Sequence, residues 1–241
     1  MIRATIWNEN IADKSSKRVL ECNPGGIHNH LASFLADDEV KVRTATLDEP
    51  ENGLPEAVLA ETDVLLWWGH SGHHWVTDEV ATRVHDHVLR GMGFIGLHSA
   101  HLAKPFTRLM GTSCTLQWRD HDFERVYNLL PGHPIARGIP DCFELEDEEM
   151  YGERFDIPEP QELVFIGWFS GGEVFRSGCT WQRGNGRVFY FQPGHESYPI
   201  YHMPEVQKIL VNAVRWAAPA QIFPPADSPC AKVTPEERLK K

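Results

Sequence analysis

The chain has 241 residues, enough for one substantial domain around a fully buried sheet, and its 41% hydrophobic and 24% charged content is an ordinary globular balance. A formal net charge of -11, from 23 Lys+Arg against 34 Asp+Glu, repels a phosphate backbone, and no basic stripe offsets it, so nucleic acid is not an expected partner. No apolar run approaches the roughly 18 residues of a membrane span. The opening MIRATIWNEN lacks the basic and apolar regions of a signal peptide, so the expectation is a cytoplasmic protein without a membrane anchor.

In chain order, residues 3–7 form a short β-rich run that ends in the polar Asn8-Glu9-Asn10. After Pro24-Gly25-Gly26, residues 27–35 carry apolar side chains at helical spacing, and residues 40–47 (VKVRTATL) alternate as a strand does. The run Val64-Leu65-Leu66-Trp67-Trp68, stopped by Gly69, suits a central strand covered on both faces. Thr77 and Asp78 are placed to cap a helix over 78–89 that Gly91 ends. Residues 93–97 form another buried strand running into His98-Ser99-Ala100-His101. Strand alternating with helix predicts an α/β fold with a doubly wound, mostly parallel sheet.

From about Trp118 the texture changes to polar segments with turn signals, such as Pro131-Gly132-His133-Pro134 and Gly138-Ile139-Pro140. Strands over 163–168, 174–176 and 187–191 follow, read as a return to the sheet plus antiparallel additions, and 205–217 is a final amphipathic helix. Residues 1–218 therefore make a single α/β domain. Residues 219–241, rich in Pro and charge, make an extended C-terminal tail.

In an open parallel sheet, ligands bind beyond the carboxyl ends of the strands. The residues that follow the strands are Asn8 and Glu9; Gly69 and His70; His98, Ser99 and His101; and Gln192, Gly194, His195 and Glu196, with His28 near the start of the helix after strand one. Imidazole binds divalent metals well, and a catalytic site usually supplies three protein ligands and an open position. His28, His70, His98 and His195, each on a separate element, form the metal-ligand candidates, with zinc the expected ion. Among the other histidines, His73 and His74 belong to the rim, His85 and His87 to a helix surface, and His121, His133 and His202 to loops or caps. The five cysteines are widely spaced without a CxxC pair, so neither a disulfide framework nor a thiolate zinc site is expected.

Carboxylates supply the second element. The acidic run 144–149 (ELEDEE) reads as a solvated loop, but Met150-Tyr151-Gly152 interrupts it and turns part of it inward. Glu148 or Glu149 then serves as metal ligand or general base, and Tyr151 as proton donor or substrate contact. The catalytic candidates are thus Glu149, Tyr151, His195 and Glu196, and the substrate-contact candidates are Asn8, Trp68, Ser99 and His101. Tryptophans beside the histidines (Trp67, Trp68, Trp75) suit stacking on a sugar ring, although core packing accounts for Trp67 equally well. The stretch Gly96-Leu97-His98-Ser99-Ala100 has the setting of a nucleophile elbow with His98 at its centre. Ser99 falls one position late, which disfavours covalent serine catalysis.

Several stretches together resemble the ThuA-like family of trehalose-utilisation proteins, within the class I glutamine amidotransferase-like superfamily. They are Gly26-Ile27-His28, Trp67-Trp68-Gly69-His70, Gly96-Leu97-His98-Ser99 and Gly132-His133-Pro134-Ile135. They continue with Glu148-Glu149-Met150-Tyr151-Gly152-Glu153, the run 172–178 and Phe191-Gln192-Pro193-Gly194-His195-Glu196, so that the resemblance covers about residues 1–217. It implies a flavodoxin-like sheet, a role in disaccharide or glucoside breakdown through a 3-keto-glycoside route, and homo-oligomerisation. The superfamily's glutaminase chemistry needs a cysteine on the elbow, where this chain has His98, and Cys114 comes too late to substitute. His195-Glu196 stands where that superfamily keeps its histidine and acid, so the location carries over and the reaction does not. The leading expectation is a metal-dependent enzyme acting on a small sugar substrate by hydrolysis, elimination or isomerisation. The alternatives are a non-catalytic sugar-binding or regulatory partner of a sugar dehydrogenase, and a metal-free hydrolase using Ser99 with His195.

Overall fold

In the computed structural model, residues 1–225 and 230–240 are described. The elements in chain order are β1 (Ile2–Asn8), α1 (Ala12–Ser15), α2 (Lys17–Cys22), α3 (Ile27–Leu35), β2 (Val40–Thr46), α4 (Glu56–Ala60), β3 (Val64–Trp68), α5 (Asp78–Arg90) and β4 (Gly93–Leu97). They continue as α6 (Lys104–Met110), β5 (Gln117–Asn128), β6 (Cys142–Gly152), β7 (Glu162–Phe169), β8 (Val174–Arg183), β9 (Gly186–Phe191), α7 (Pro204–Ala217) and α8 (Pro235–Leu239).

Among the described residues, nine strands share one sheet in the order β2-β1-β3-β4-β9-β8-β7-β5-β6. The first five are mutually parallel. The order 2-1-3-4 followed by a fifth parallel strand is that of a flavodoxin-like sheet, as the sequence pattern predicts. The remaining four pair antiparallel and extend the sheet beyond β9.

Alternation along the parallel strands divides the core in two. Ile6, Leu66, Trp68 and Leu97 face α3 and α7, and Trp7, Leu65, Trp67 and Phe94 face α5 and α6. Each helix presents a stripe at helical spacing: Ile27, Leu31 and Leu35 on α3, Val80, Val84 and Val88 on α5, and Val206, Ile209, Leu210 and Ala213 on α7. Burying each of these larger side chains contributes about 1.5–3 kcal/mol, enough to fix which face each helix turns inward. Thr77 caps α5 by accepting from the Val80 N–H, as expected, and Gly91 ends it at φ 133°.

Two differences from the sequence reading bear on function. The acidic run is not a loop: it lies in β6, and 117–128 forms a second long strand, β5, beside it. In β6, Phe143 and Leu145 are buried between exposed neighbours, and everything from Glu148 to Gly152 is buried. His87, expected on a helix surface, is buried on α5 and hydrogen-bonds Glu56 at 3.0 Å. In the tail, Phe223 N–H donates to the Arg90 carbonyl, and Thr234 forms a capping box that starts α8. Positions 226–229 and 241 of the expected extended tail lie outside the described residues. Among the described residues, no helix is long and apolar enough to cross a membrane.

Candidate active site

The carboxyl ends of β1, β3, β4 and β9 meet at one edge of the sheet, and β6 reaches them from the antiparallel side. The loop after β3 is shaped by Glu9, which the end of β1 delivers. Its buried carboxylate accepts the His70, Ser71 and Gly72 N–H groups at 2.7, 3.0 and 2.7 Å. Three charge-assisted bonds to consecutive amides fold that loop tightly, and His70 projects from it. The loop after β9 is shaped in the same way by Glu148. That side chain is wholly buried and accepts the Gly194, His195 and Glu149 N–H groups at 2.7, 3.2 and 2.8 Å. Burial outweighs these bonds and the nearby His98 charge, and lifts the Glu148 carboxyl to about 7.

His98 begins the short 3-10 turn after β4 with φ 50°, a left-handed backbone that a non-glycine residue rarely adopts. The strained elbow of the sequence reading is therefore present, with an imidazole at its tip. His98 Nδ1–H donates to the Gln192 carbonyl at 2.8 Å and Nε2–H to Glu149 at 2.9 Å. Both nitrogens donate, so the ring is an imidazolium. Burial alone would lower its pKa, but the bond and charge of Glu149 raise it to about 9, and in return the Glu149 carboxyl, despite its own burial, falls to about 2. Tyr151 stacks on the His98 ring at 4.9 Å, and its hydroxyl pairs with Ser99 Oγ at 2.8 Å.

Around this buried ion pair stand the other histidines. The rings of His70 and His195 lie 5.2 Å apart and those of His98 and His195 5.3 Å apart. His70 Nδ1 bonds Glu196 at 2.7 Å, which holds the ring and raises its pKa against the opposing effect of burial. His195 is held neutral, its pKa lowered to about 4 by burial and by the His98 charge. Its Nδ1 accepts from the Ser197 N–H at 3.1 Å, so the neutral ring carries its proton on Nε2. His70, Glu149, His195 and Glu196, together with Ser99, His101 and Tyr151, line a cavity of about 660 Å³, with His98 buried behind them. His101 gives its Nδ1–H to the Cys114 carbonyl at 2.7 Å and is neutral, burial having lowered its pKa to about 3.

Among the described residues, one group of side chains can hold a metal ion. His70, Glu149 and His195 each offer a ligand atom, all within 4.8 Å of one another. The donor set fits in two of its three members. His70 has its Nδ1 fixed by a carboxylate and its Nε2 free, the usual orientation of a metal-ligating imidazole. Glu149 has one oxygen left over from its bond to His98. His195 fits less well, because Nε2 must first give up its proton.

Two of the expected ligands do not join this group. His98 has no lone pair to offer once both nitrogens donate, and His28 turns from the first turn of α3 to Asn8 Nδ2 at 2.9 Å. Two expected substrate contacts also change role. Asn8 is fully buried between His28 and the Asn10 N–H, and Trp68 is fully buried with its indole N–H on the Gly194 carbonyl at 3.1 Å. Both position loops rather than touch a ligand. Ser99 does not pair with His195, so no serine–histidine couple is formed. Two residues without an expected role also join the site: Gln192, whose amide donates to the Glu149 carbonyl at 3.2 Å, and buried Glu124, which accepts from Ser177 at 3.2 Å. Polar side chains at buried positions of a strand were the only signal for them.

A flavodoxin-like sheet with a sharp elbow after β4, His98 at its tip, and a His-Glu pair after β9 has the class I glutamine amidotransferase-like fold. The family model described as trehalose utilisation (ThuA) matches residues 3–217, and the chain belongs to that family. Solved structures agree on the fold. A ThuA-like protein from Bacteroides uniformis superposes with a TM-score of 0.64 at 18% identity, covering 90% of this chain and 91% of its own. Another from Parabacteroides merdae gives 0.61 at 17% identity, covering 92% and 93%. A GMP synthase protein from Thermoplasma acidophilum gives 0.51 at 13% identity, covering 89% and 93%. No curated protein matches the chain.

Proposed function

We propose that the protein is a metal-assisted enzyme that breaks down a glucoside or disaccharide, in its 3-keto form, as a cytoplasmic homo-oligomer working beside a sugar dehydrogenase. The observation that carries this reading is the convergence of His70, Glu149 and His195 on the floor of a cavity at the elbow of a ThuA-family chain. His70 and Glu149, with His195 once its proton leaves, are the residues that hold the ion, zinc being the ion that suits nitrogen and carboxylate donors. Bound there, it supplies Lewis-acid polarisation of a sugar oxygen or of a water.

The chain's own groups account for the rest. The His98 imidazolium fixes Glu149 as a carboxylate, so that it presents negative charge to the cavity at all working pH values. Glu196 orients His70. Where His195 is not a ligand, its neutral ring offers the Nε2–H as a hydrogen-bond donor to an oxygen in the cavity. Tyr151 and Ser99 share a proton at 2.8 Å and supply hydroxyls that can bind the sugar.

Glu149→Gln tests the reading. With 3-keto-trehalose as substrate and zinc added, we expect turnover to fall at least about 100-fold while binding of the sugar persists. Equal turnover in the variant, or a native protein that binds the sugar and never converts it, overturns the enzyme reading in favour of a sugar-binding partner.

A further inference from the structure

The cavity has two chemically distinct parts. Its floor is polar and titratable. Its lip is mostly apolar: Leu102 at the end of the elbow turn, Leu116 ahead of β5 and Trp118 on β5 border the same opening, with the polar Thr115 and Asp120 beside them. Leu102 and Trp118 are 42% and 63% exposed, large apolar side chains left facing water. Leu116 is half-buried and packs against the core on the α5 side, which joins the lip to a rigid base. The β5–β6 register sets Trp118 directly opposite Tyr151, so the indole stands on the strand pair that also supplies the floor with Tyr151 and Glu149. Directly opposed residues in an antiparallel pair share a face of the sheet. A single exposed leucine is unremarkable; three apolar groups from two segments around one polar cavity are a surface that a ligand can cover.

We infer that this lip is a subsite for a flat apolar or aromatic group carried by the substrate, so that the preferred ligand is an aryl or similarly apolar glucoside rather than a sugar–sugar disaccharide. This rests on the proposed sugar chemistry of the floor. A second sugar ring would find partners for its hydroxyls in Thr115 and Asp120 but none on the two leucines or the indole face, which make up most of the lip. A planar apolar group instead covers the indole face and both leucines while the glucose unit reaches the floor.

Calorimetric titration at pH 7, without added zinc, with the 3-keto forms of phenyl glucoside, methyl glucoside and trehalose tests it. We expect phenyl glucoside to bind about tenfold more tightly than the other two, the increment of one aromatic contact. Trp118→Ala should erase that gap and leave methyl glucoside affinity unchanged, whereas Trp118→Phe should keep most of it. Equal affinity for phenyl and methyl glucoside, tighter binding of trehalose, or a gap that survives Trp118→Ala overturns the inference. Failure of all three glucosides to bind overturns the sugar reading instead. Phenol alone is then the probe: a shift of the Trp118 indole N–H resonance supports the subsite independently, and no shift overturns it too.

Discussion

At the scale of single residues, the site turns on one buried ion pair. Removing either member would strand the other's charge in the interior, which typically costs about 3–5 kcal/mol. The two pKa shifts fix how that stabilisation depends on pH. His98 is raised from 6.5 to about 9, so its contribution is complete below 6.5 and is lost as pH rises toward 9. Glu149 is lowered from 4.5 to about 2, so its contribution is complete above 4.5 and is lost as pH falls toward 2. The pair is therefore worth most between 4.5 and 6.5. His195 acts the opposite way on the acid side: held near 4 instead of 6.5, it withdraws stability as pH drops through that interval. We expect the difference in melting temperature between native protein and Glu149→Gln to be largest between pH 4.5 and 6.5 and to shrink by pH 9. Calorimetric scans across that range check it, and a difference that stays constant with pH would refute the ion pair.

At the scale of elements, the parallel half was legible in the sequence and the antiparallel half much less so. Uninterrupted apolar runs such as 64–68 and 93–97 have no reading other than covered strands, and the residues that follow them locate the site edge. β5 and β6 escaped because burial there falls on acids. An acid in a strand pattern gives no sign of burial, yet Glu124 and Glu148 sit wholly inside, Glu124 linked through Ser177 to Gln192. Burial, added to the charge of Glu148, pushes the Glu124 carboxyl well above its ordinary range. Local pattern cannot reveal a partner that arrives from a strand fifty residues away. The same packing explains Gly167 on β7, where a Cβ would collide with Glu124 and lie 2.5 Å from Ser177 Oγ. Gly167→Ala should destabilise the fold by about 1–3 kcal/mol through overpacking and, because Ser177 and Gln192 lead to Glu149, should also lower activity. Denaturant titration with parallel assays checks both, and an unchanged midpoint would show that the network can move aside.

At the scale of the whole molecule, the question is which histidines act together. The sequence places His28, His70, His98 and His195 on one rim, and topology does bring their elements to the same sheet edge. It cannot tell which way each ring turns, and that is decided by partners: Asn8 for His28, Gln192 and Glu149 for His98, Glu196 for His70. A ligand that binds only the folded chain raises its stability by RT ln(1 + [L]/Kd), about 2.7 kcal/mol at a hundredfold excess over Kd. Zinc should thus raise the melting temperature of chelator-treated protein by several degrees, since 1 kcal/mol corresponds to about 2–4 °C in a domain of this size. His70→Ala should abolish the shift, whereas His28→Ala should leave it intact, because the His28 ring points to Asn8 instead of the cavity. His195→Ala distinguishes two arrangements of the site. If His195 gives up its Nε2 proton and ligates, the shift is lost with it. If the proton stays, as its Nδ1 bond to Ser197 favours, a weaker shift survives on His70 and Glu149 while turnover still fails for want of the donor. A zinc shift that follows His28 and ignores His70 would overturn the assignment of the metal group itself.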